Sequence, residues 1–263
     1  VEFLEPALFG LLVGISLGLT GGGGSILAVP LLIYGLGLPL RAAVAVSLAV
    51  VGLTALYGAL LQSRSGMVVW KAGAIIGLGG ILSAPLGAAI GRQLPDQLTL
   101  LLFAGLMLII GISMLRKNSD ADTILARFAC EHTPGGLPVF SLFCAGKLVL
   151  SGLLVGLLSG IFGVGGGFLV VPAILITAAV SIERALATSL VAIALTSASA
   201  LLANAGALDD TGWLLPGMFL VGSLAGLTAG TVIKKRLPST VLRRGFAFVV
   251  VAVALLMLIR ELV

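Results

Sequence analysis

Apolar residues run along this chain in long blocks. The hydrocarbon core of a bilayer, about 30 Å thick, takes about 20 such residues per helix. Six blocks meet that length and predict transmembrane helices: Arg41 to Gln62, Ala72 to Gly91, Gln97 to Leu115, Ala185 to Asn204, Trp213 to Ile233 and Val241 to Arg260. Two further blocks, Pro6 to Leu36 and Lys147 to Ser181, are longer than one span and are cut by glycine runs. The cuts read Thr20-Gly21-Gly22-Gly23-Gly24-Ser25 and Phe162-Gly163-Val164-Gly165-Gly166-Gly167. Each glycine costs a helix about 1 kcal/mol relative to alanine, so adjacent glycines predict a break. The legs left on either side, about 12 to 16 residues or roughly 18–24 Å of helix, are short for a crossing and suit half-helices.

The two cut blocks are copies of each other. A shift of 142 places Leu12-Val13-Gly14 on Leu154-Val155-Gly156, Gly21 on Gly163, Gly23 on Gly165, Gly24 on Gly166 and Pro30 on Pro172. From Leu12 to Pro30, 10 of 19 positions are identical. The same shift carries Ser47 onto Ser189, Thr54 onto Thr196 and Gln62 onto Asn204; after one insertion Trp70 falls on Trp213 and Phe103 on Phe246. A repeat at this spacing predicts two homologous halves, 1–116 and 147–263, joined by a polar connector, 117–146.

Composition agrees with the block pattern. Apolar residues make up 59% of the chain and charged residues 10%, with a mean hydropathy of +1.25. Soluble domains carry roughly 25% charged residues, so the fold class is an all-α polytopic membrane protein. Two cysteines, Cys130 and Cys144, supply neither a disulfide framework nor a zinc site. Neither cofactor nor metal is expected. The net charge of +5 sits in short loops rather than on one polar face, which excludes a nucleic-acid surface. Glu2 and Glu5 stand where a cleavable signal would need positive charge, so anchoring by the chain's own spans is expected.

The basic residues discriminate between topologies. If each cut block crosses once, the 15 Lys and Arg divide seven against eight. If each is a re-entrant hairpin, each half has three crossings and the halves are inverted. One side then holds Arg41, Arg92 and Arg260, and the other holds the remaining twelve. Cytoplasmic loops are enriched in Lys and Arg, so the second arrangement is expected, with both termini outside and the connector in the cytoplasm. There, Cys130 and Cys144 are expected as reduced thiols and His132 as a solvated loop residue. Ser119 to Glu131 is expected to form a short amphipathic surface helix.

Inversion brings both breaks to the membrane midplane, and paired, interrupted segments at equivalent positions point to a transporter binding site. The candidate substrate-binding residues are Gly21, Gly22, Gly23, Gly24 and Ser25 in the first break, and Gly163, Gly165, Gly166 and Gly167 in the second. Half-helix N-termini starting near Ser25 and Phe168 would offer unpaired N–H donors and partial positive charge to an anion. Ser47 with Thr54, and Ser189 with Thr196, each lie seven apart on one helix face and could add hydroxyl donors. The plainer reading for such hydroxyls is a bond back to their own helix. Gly10, Gly14 and Gly18, with Gly222, Gly226 and Gly230, read as helix-packing positions. Gln62 and Asn204 read as solvated amides at span ends, and Tyr57 as a packing aromatic. No dinucleotide or phosphate-loop pattern is complete in either break.

All ten acidic residues fall in loops or at termini, whereas proton- or sodium-coupled pumps carry intramembrane carboxylates. Export of an anion, driven by the membrane potential, is therefore expected. With no base, nucleophile or metal set within the spans, the chain is not expected to be an enzyme.

The doubled motif, GLTGGGGSILAVP and GIFGVGGGFLVVP, resembles that of the TauE/SafE sulfite exporter family of bacterial membrane proteins. The resemblance covers nearly the whole chain outside the connector. It implies a multi-pass protein of the bacterial cell inner membrane that exports small sulfur-containing anions such as sulfite, sulfoacetate or related sulfonates. The motif glycines Gly21 to Gly24, Gly163 and Gly165 to Gly167 are the matching positions. Ser25 stands opposite Gly167 and Gly22 opposite Val164, so only approximate symmetry is expected. An anion channel, or an exporter of other small organic anions, is the alternative. The expected partners are a small anionic substrate and the lipid bilayer, with no nucleic acid; a homodimer stays open.

Overall fold

The computed structural model describes residues 4–115, 130, 141–178, 180–204, 213–234 and 239–262. Among them all regular secondary structure is helical. The order is α1 (Leu4–Thr20), α2 (Ser25–Pro30) with a π-helical turn (Leu31–Gly35), α3 (Leu40–Ser63), α4 (Trp70–Gly91) and α5 (Asp96–Leu115). There follow α6 (Leu142–Phe162), α7 (Gly167–Ala178), α8 (Ile182–Ala203), α9 (Leu214–Lys234) and α10 (Ser239–Leu262). Five helices, α3, α4, α6, α8 and α9, are long and apolar enough to cross a membrane. Leu78, Leu82, Leu86 and Ile90 form an exposed apolar stripe on α4, as a lipid-facing helix requires.

Both predicted breaks are present, and each helix before a break ends in the same way. Gly21 has φ 70° and its amide donates to the Leu17 carbonyl at 2.8 Å; Gly163 has φ 67° and donates to the Ser159 carbonyl at 2.8 Å. Glycine adopts this left-handed conformation without a Cβ penalty, and it is the usual helix stop. The first legs are longer than the sequence reading expects: α1 has 17 residues and α6 has 21, against about 12 to 16. In α6 the reason is Ser141, whose side chain accepts from the Cys144 amide at 3.2 Å and starts the helix ahead of Lys147.

Glycines set the helix pairing. The most extensive contacts are α1 with α9 and α4 with α6. Gly10, Gly14 and Gly18 lie against the backbones of Phe219, Ser223 and Leu227, while Gly222, Gly226 and Gly230 lie against Ala7, Leu11 and Ile15. The numbers rise together, so α1 and α9 run parallel. Gly152, Gly156 and Gly160 meet Ile76, Gly80 and Ala84 in the same fashion, making α4 and α6 parallel. By contrast Gly52 meets Ser197 and Gly58 meets Leu190, so α3 and α8 are antiparallel. Small residues four apart let two backbones touch where lipid offers no hydrophobic drive to association.

The cysteines correct the sequence reading. Cys130 and Cys144 are joined in a disulfide, with Cα atoms 5.3 Å apart, rather than standing as free thiols. The Cys130 amide donates to the Thr177 carbonyl at the end of α7 (2.8 Å), which holds this connector residue beside the first turn of α6. Of the connector, only Cys130 and residues 141–146 are described; the proposed surface helix Ser119 to Glu131, apart from Cys130, and His132 lie outside the described residues. Closing a loop of about 15 residues stabilises a fold by about 3 kcal/mol in the chain-entropy model. C130S/C144S should therefore lower the thermal midpoint of the purified protein by several degrees, and reductant should change that variant's midpoint no further.

Candidate functional site

The two breaks, 142 residues apart in sequence, meet in space. A Cβ on Gly22 would run into the carbonyl group of Gly167, and one on Gly167 would lie 2.5 Å from the Gly22 carbonyl oxygen and 2.8 Å from Ser25 Oγ. Gly21 through Ser25 and Gly163 through Gly167 are all buried. The glycines thus serve two ends: left-handed turns at Gly21, Gly163, Gly165 and Gly166, and backbone contact between Gly22 and Gly167.

Starting a helix leaves its first amides without intrahelical acceptors. In the first break, i to i+3 bonds close from Ser25, Ile26 and Leu27 onto the carbonyls of Gly22, Gly23 and Gly24. In the second, Leu169 and Val170 both donate to Gly166. The amides of Gly22, Gly23 and Gly24, and of Gly165, Gly166, Gly167 and Phe168, find no acceptor among the described residues. Buried amides of this kind are satisfied by ordered water or a ligand.

The candidate hydroxyls divide into two groups. Ser25 Oγ donates to the Gly22 carbonyl (2.7 Å). Ser189 Oγ donates to the Gly21 carbonyl (2.5 Å) and to its own helix at Leu186 (2.9 Å). Thr196 Oγ1 reaches the Gly165 carbonyl (3.2 Å) and the Ala192 and Ile193 carbonyls of its own helix. Thr54 Oγ1 donates to Ser223 Oγ on α9 (3.1 Å). These four hydroxyls support the breaks and the helix packing. Ser47 behaves differently: it is fully buried and its hydroxyl has no partner among the described residues.

Two residues that the sequence reading passed over join Ser47. Ser159 and Ser197 are the other buried side chains among the described residues whose polar atom is unpartnered. All three surround the second break. Ser197 Oγ lies 2.6 Å from where a Cβ on Gly165 would be, and Ser159 Cβ lies 3.2 Å from the corresponding point on Gly166. Ser47 lies between Val44, which packs on Gly163, and Val51, which packs on Gly165; residues 44, 47 and 51 share one face of α3. The first break has no such ring. The residue matching Ser47 is Ser189, already bonded to Gly21, and those matching Ser197 and Ser159 are Ala55 and Leu17.

Away from the breaks, Asn204 Nδ2 donates to the Ala200 carbonyl (2.8 Å), Gln62 lies half-buried near the end of α3, and Tyr57 is 39% exposed. Glu5, Asp96 and Glu183 sit in the first turns of their helices. Among the described residues no group of three His, Cys, Asp or Glu could hold a metal ion.

Comparison with known proteins covers nearly the whole chain. The family model described as sulfite exporter TauE/SafE matches residues 7–257. A probable membrane transporter protein of Xylella fastidiosa (strain Temecula1) is 36% identical over 95% of this chain and 92% of its own length. The probable membrane transporter protein YdhB of Bacillus subtilis (strain 168) is 27% identical over 94% and 96%. One from Methanocaldococcus jannaschii is 30% identical over 74% and 69%. No solved structure matches the chain.

Proposed function

From the premise that this chain belongs to the TauE/SafE sulfite exporter family, and is therefore a multi-pass membrane transporter and not an enzyme, we propose that it exports a small sulfur-containing oxyanion. Sulfite, sulfoacetate and related sulfonates are the substrates in view. The observation that carries this reading is the second break, where three unpartnered buried hydroxyls ring a run of free amides. Such a site offers hydrogen-bond donors and the positive end of α7, with no fixed cation to hold the anion too tightly. Oxygen atoms on a tetrahedral or pyramidal sulfur centre would accept from several of these donors at once.

Alternating access of two inverted halves is the transport mode proposed. Exchanging the halves exchanges α1 with α6 and α4 with α9, and it turns the parallel α1–α9 pair into the parallel α6–α4 pair. The antiparallel α3–α8 pair maps onto itself. These relations support inversion about an axis in the membrane plane. Contact between Gly22 and Gly167 favours a carrier over an open channel, because it closes the centre with backbone.

The three-to-twelve division of basic residues supports termini outside and the connector inside. Against it stands the Cys130–Cys144 bond, since disulfides persist where thiols are not kept reduced. The charge division outweighs it: loop charge directs insertion, whereas exchange of a disulfide depends on access, and Cys130 and Cys144 are 5% and 2% exposed. In that orientation an anion leaves down the membrane potential, which supplies about 2.3 kcal/mol per charge per 100 mV.

The experiment is sulfite flux from proteoliposomes with a set inside-negative potential. Saturable efflux that grows with the potential is expected; uptake strictly coupled to protons would overturn the reading. Ser197→Ala should keep or slightly raise the thermal midpoint, since it removes an unsatisfied buried group. It should also weaken apparent sulfite affinity about tenfold, the value of one hydrogen bond to a charged group. Thr54→Ala should do the opposite, lowering stability by about 1 kcal/mol through loss of the Ser223 bond while leaving affinity intact.

A further inference from the structure

We propose that the cavity between α1, the α2–π-turn leg and α10 is a binding site for an anionic phospholipid. The cavity holds about 740 Å³, within the range of sites that enclose a whole small ligand. Its walls are apolar, among them Leu12, Leu19, Leu31, Val249, Val253 and Leu256. Thr20 adds little polarity, because its hydroxyl is turned onto the Ser16 carbonyl at 2.6 Å. Leu12 and Leu256 are also 52% and 53% exposed, so the cavity wall continues into the lipid-facing surface.

Polarity gathers at one end. Arg260, the cationic group of the lining, lies with its guanidinium 5.6 Å from the Tyr34 ring centre and has no carboxylate partner among the described residues. From Arg260 down to Gly245, the other end of the lining on α10, is fifteen residues, about 22 Å of helix. One leaflet of hydrocarbon is about half of a 30 Å core. A phosphate on Arg260 would therefore sit at the interface with a complete acyl chain beneath it. A sulfur oxyanion fits poorly here, since the apolar walls offer it no donors along that path.

The second half carries a bulkier residue at the position that matches Thr20. Phe162 occupies the position that matches Thr20, and its ring centre lies 5.5 Å from that of Phe103. Both rings are buried. The lipid site does not depend on what the breaks transport.

Native mass spectrometry of the purified, delipidated protein with equimolar phosphatidylglycerol and phosphatidylcholine tests this. The wild-type chain should retain phosphatidylglycerol at least tenfold over phosphatidylcholine. Arg260→Gln should bring the two to parity, and Thr20→Phe, copying the second half, should lower retention of both about tenfold. Leu256→Trp fills the cavity from the opposite wall and gives the same loss should Thr20→Phe fail to fold. Equal retention of the two lipids by the wild-type protein, or unchanged retention in both filling variants, would overturn the proposal. So would full displacement of phosphatidylglycerol by inorganic phosphate, which would mark a free-anion site.

Discussion

Gly22→Ala lowers sulfite efflux per folded molecule at least a hundredfold. One methyl group has this effect because of where it points. A Cβ on Gly22 would enter the backbone of Gly167, and a carbonyl group cannot swing aside as the end of a flexible side chain can. The two breaks must separate by roughly the width of a methyl group, which displaces Gly165, Gly166 and Gly167 from the three serines around them. Misplacement of about 1 Å at a polar site can cost a hundredfold in rate. Gly105→Ala is the control, since a Cβ there meets nothing within 4 Å. Efflux normalised to the monodisperse fraction from size exclusion measures the effect; equal efflux from Gly22→Ala and Gly105→Ala would remove the contact between breaks from the mechanism.

The second large effect falls on assembly. Gly14→Val should yield no monodisperse protein, because a side chain at this position overlaps the Ser223 backbone in the α1–α9 pair. Overpacking into side chains typically costs 1–3 kcal/mol, and overlap with backbone costs more because two helices must part along their length. Gly156→Val should fail in the same way against Gly80 in the α4–α6 pair. Gly217→Ala, on α9 with open space at its Cβ position, should behave as wild type. Size-exclusion profiles and thermal midpoints of the three variants decide the matter. A stable, monodisperse Gly14→Val would mean that α1 and α9 are held by something other than close backbone contact.

Much of this arrangement can be read from residue spacing. The six blocks fall on α3, α4, α5, α8, α9 and α10, with Asn204 and Trp213 one residue beyond the helix ends, because long apolar runs leave few alternatives to a helix in lipid. The breaks are legible because adjacent glycines lose helix stability and because they recur 142 residues apart. Gly10, Gly14 and Gly18 announce a packing face by their spacing of four, and so do Gly222, Gly226 and Gly230. Three features are less accessible. The length of α6 depends on a capping serine, Ser141, outside the apolar block. The Cys130–Cys144 bond depends on Cα separation, which sequence spacing does not give. Ser159 and Ser197 fall at positions where the two halves differ, matching Leu17 and Ala55, so a search for duplicated hydroxyls discards them. A period-four reading of α8 would have found Ser197, eight residues after Ser189 on the same face. The departures from symmetry at the second break are thus what the repeat conceals.

The most direct test is a difference map between density for the protein with sulfite and without it, recorded under otherwise identical conditions. A single added peak within hydrogen-bond distance of Ser197 Oγ and the Gly165–Gly167 amides is the predicted result. An empty second break in saturating sulfite, or a peak confined to some other part of the molecule, would contradict it.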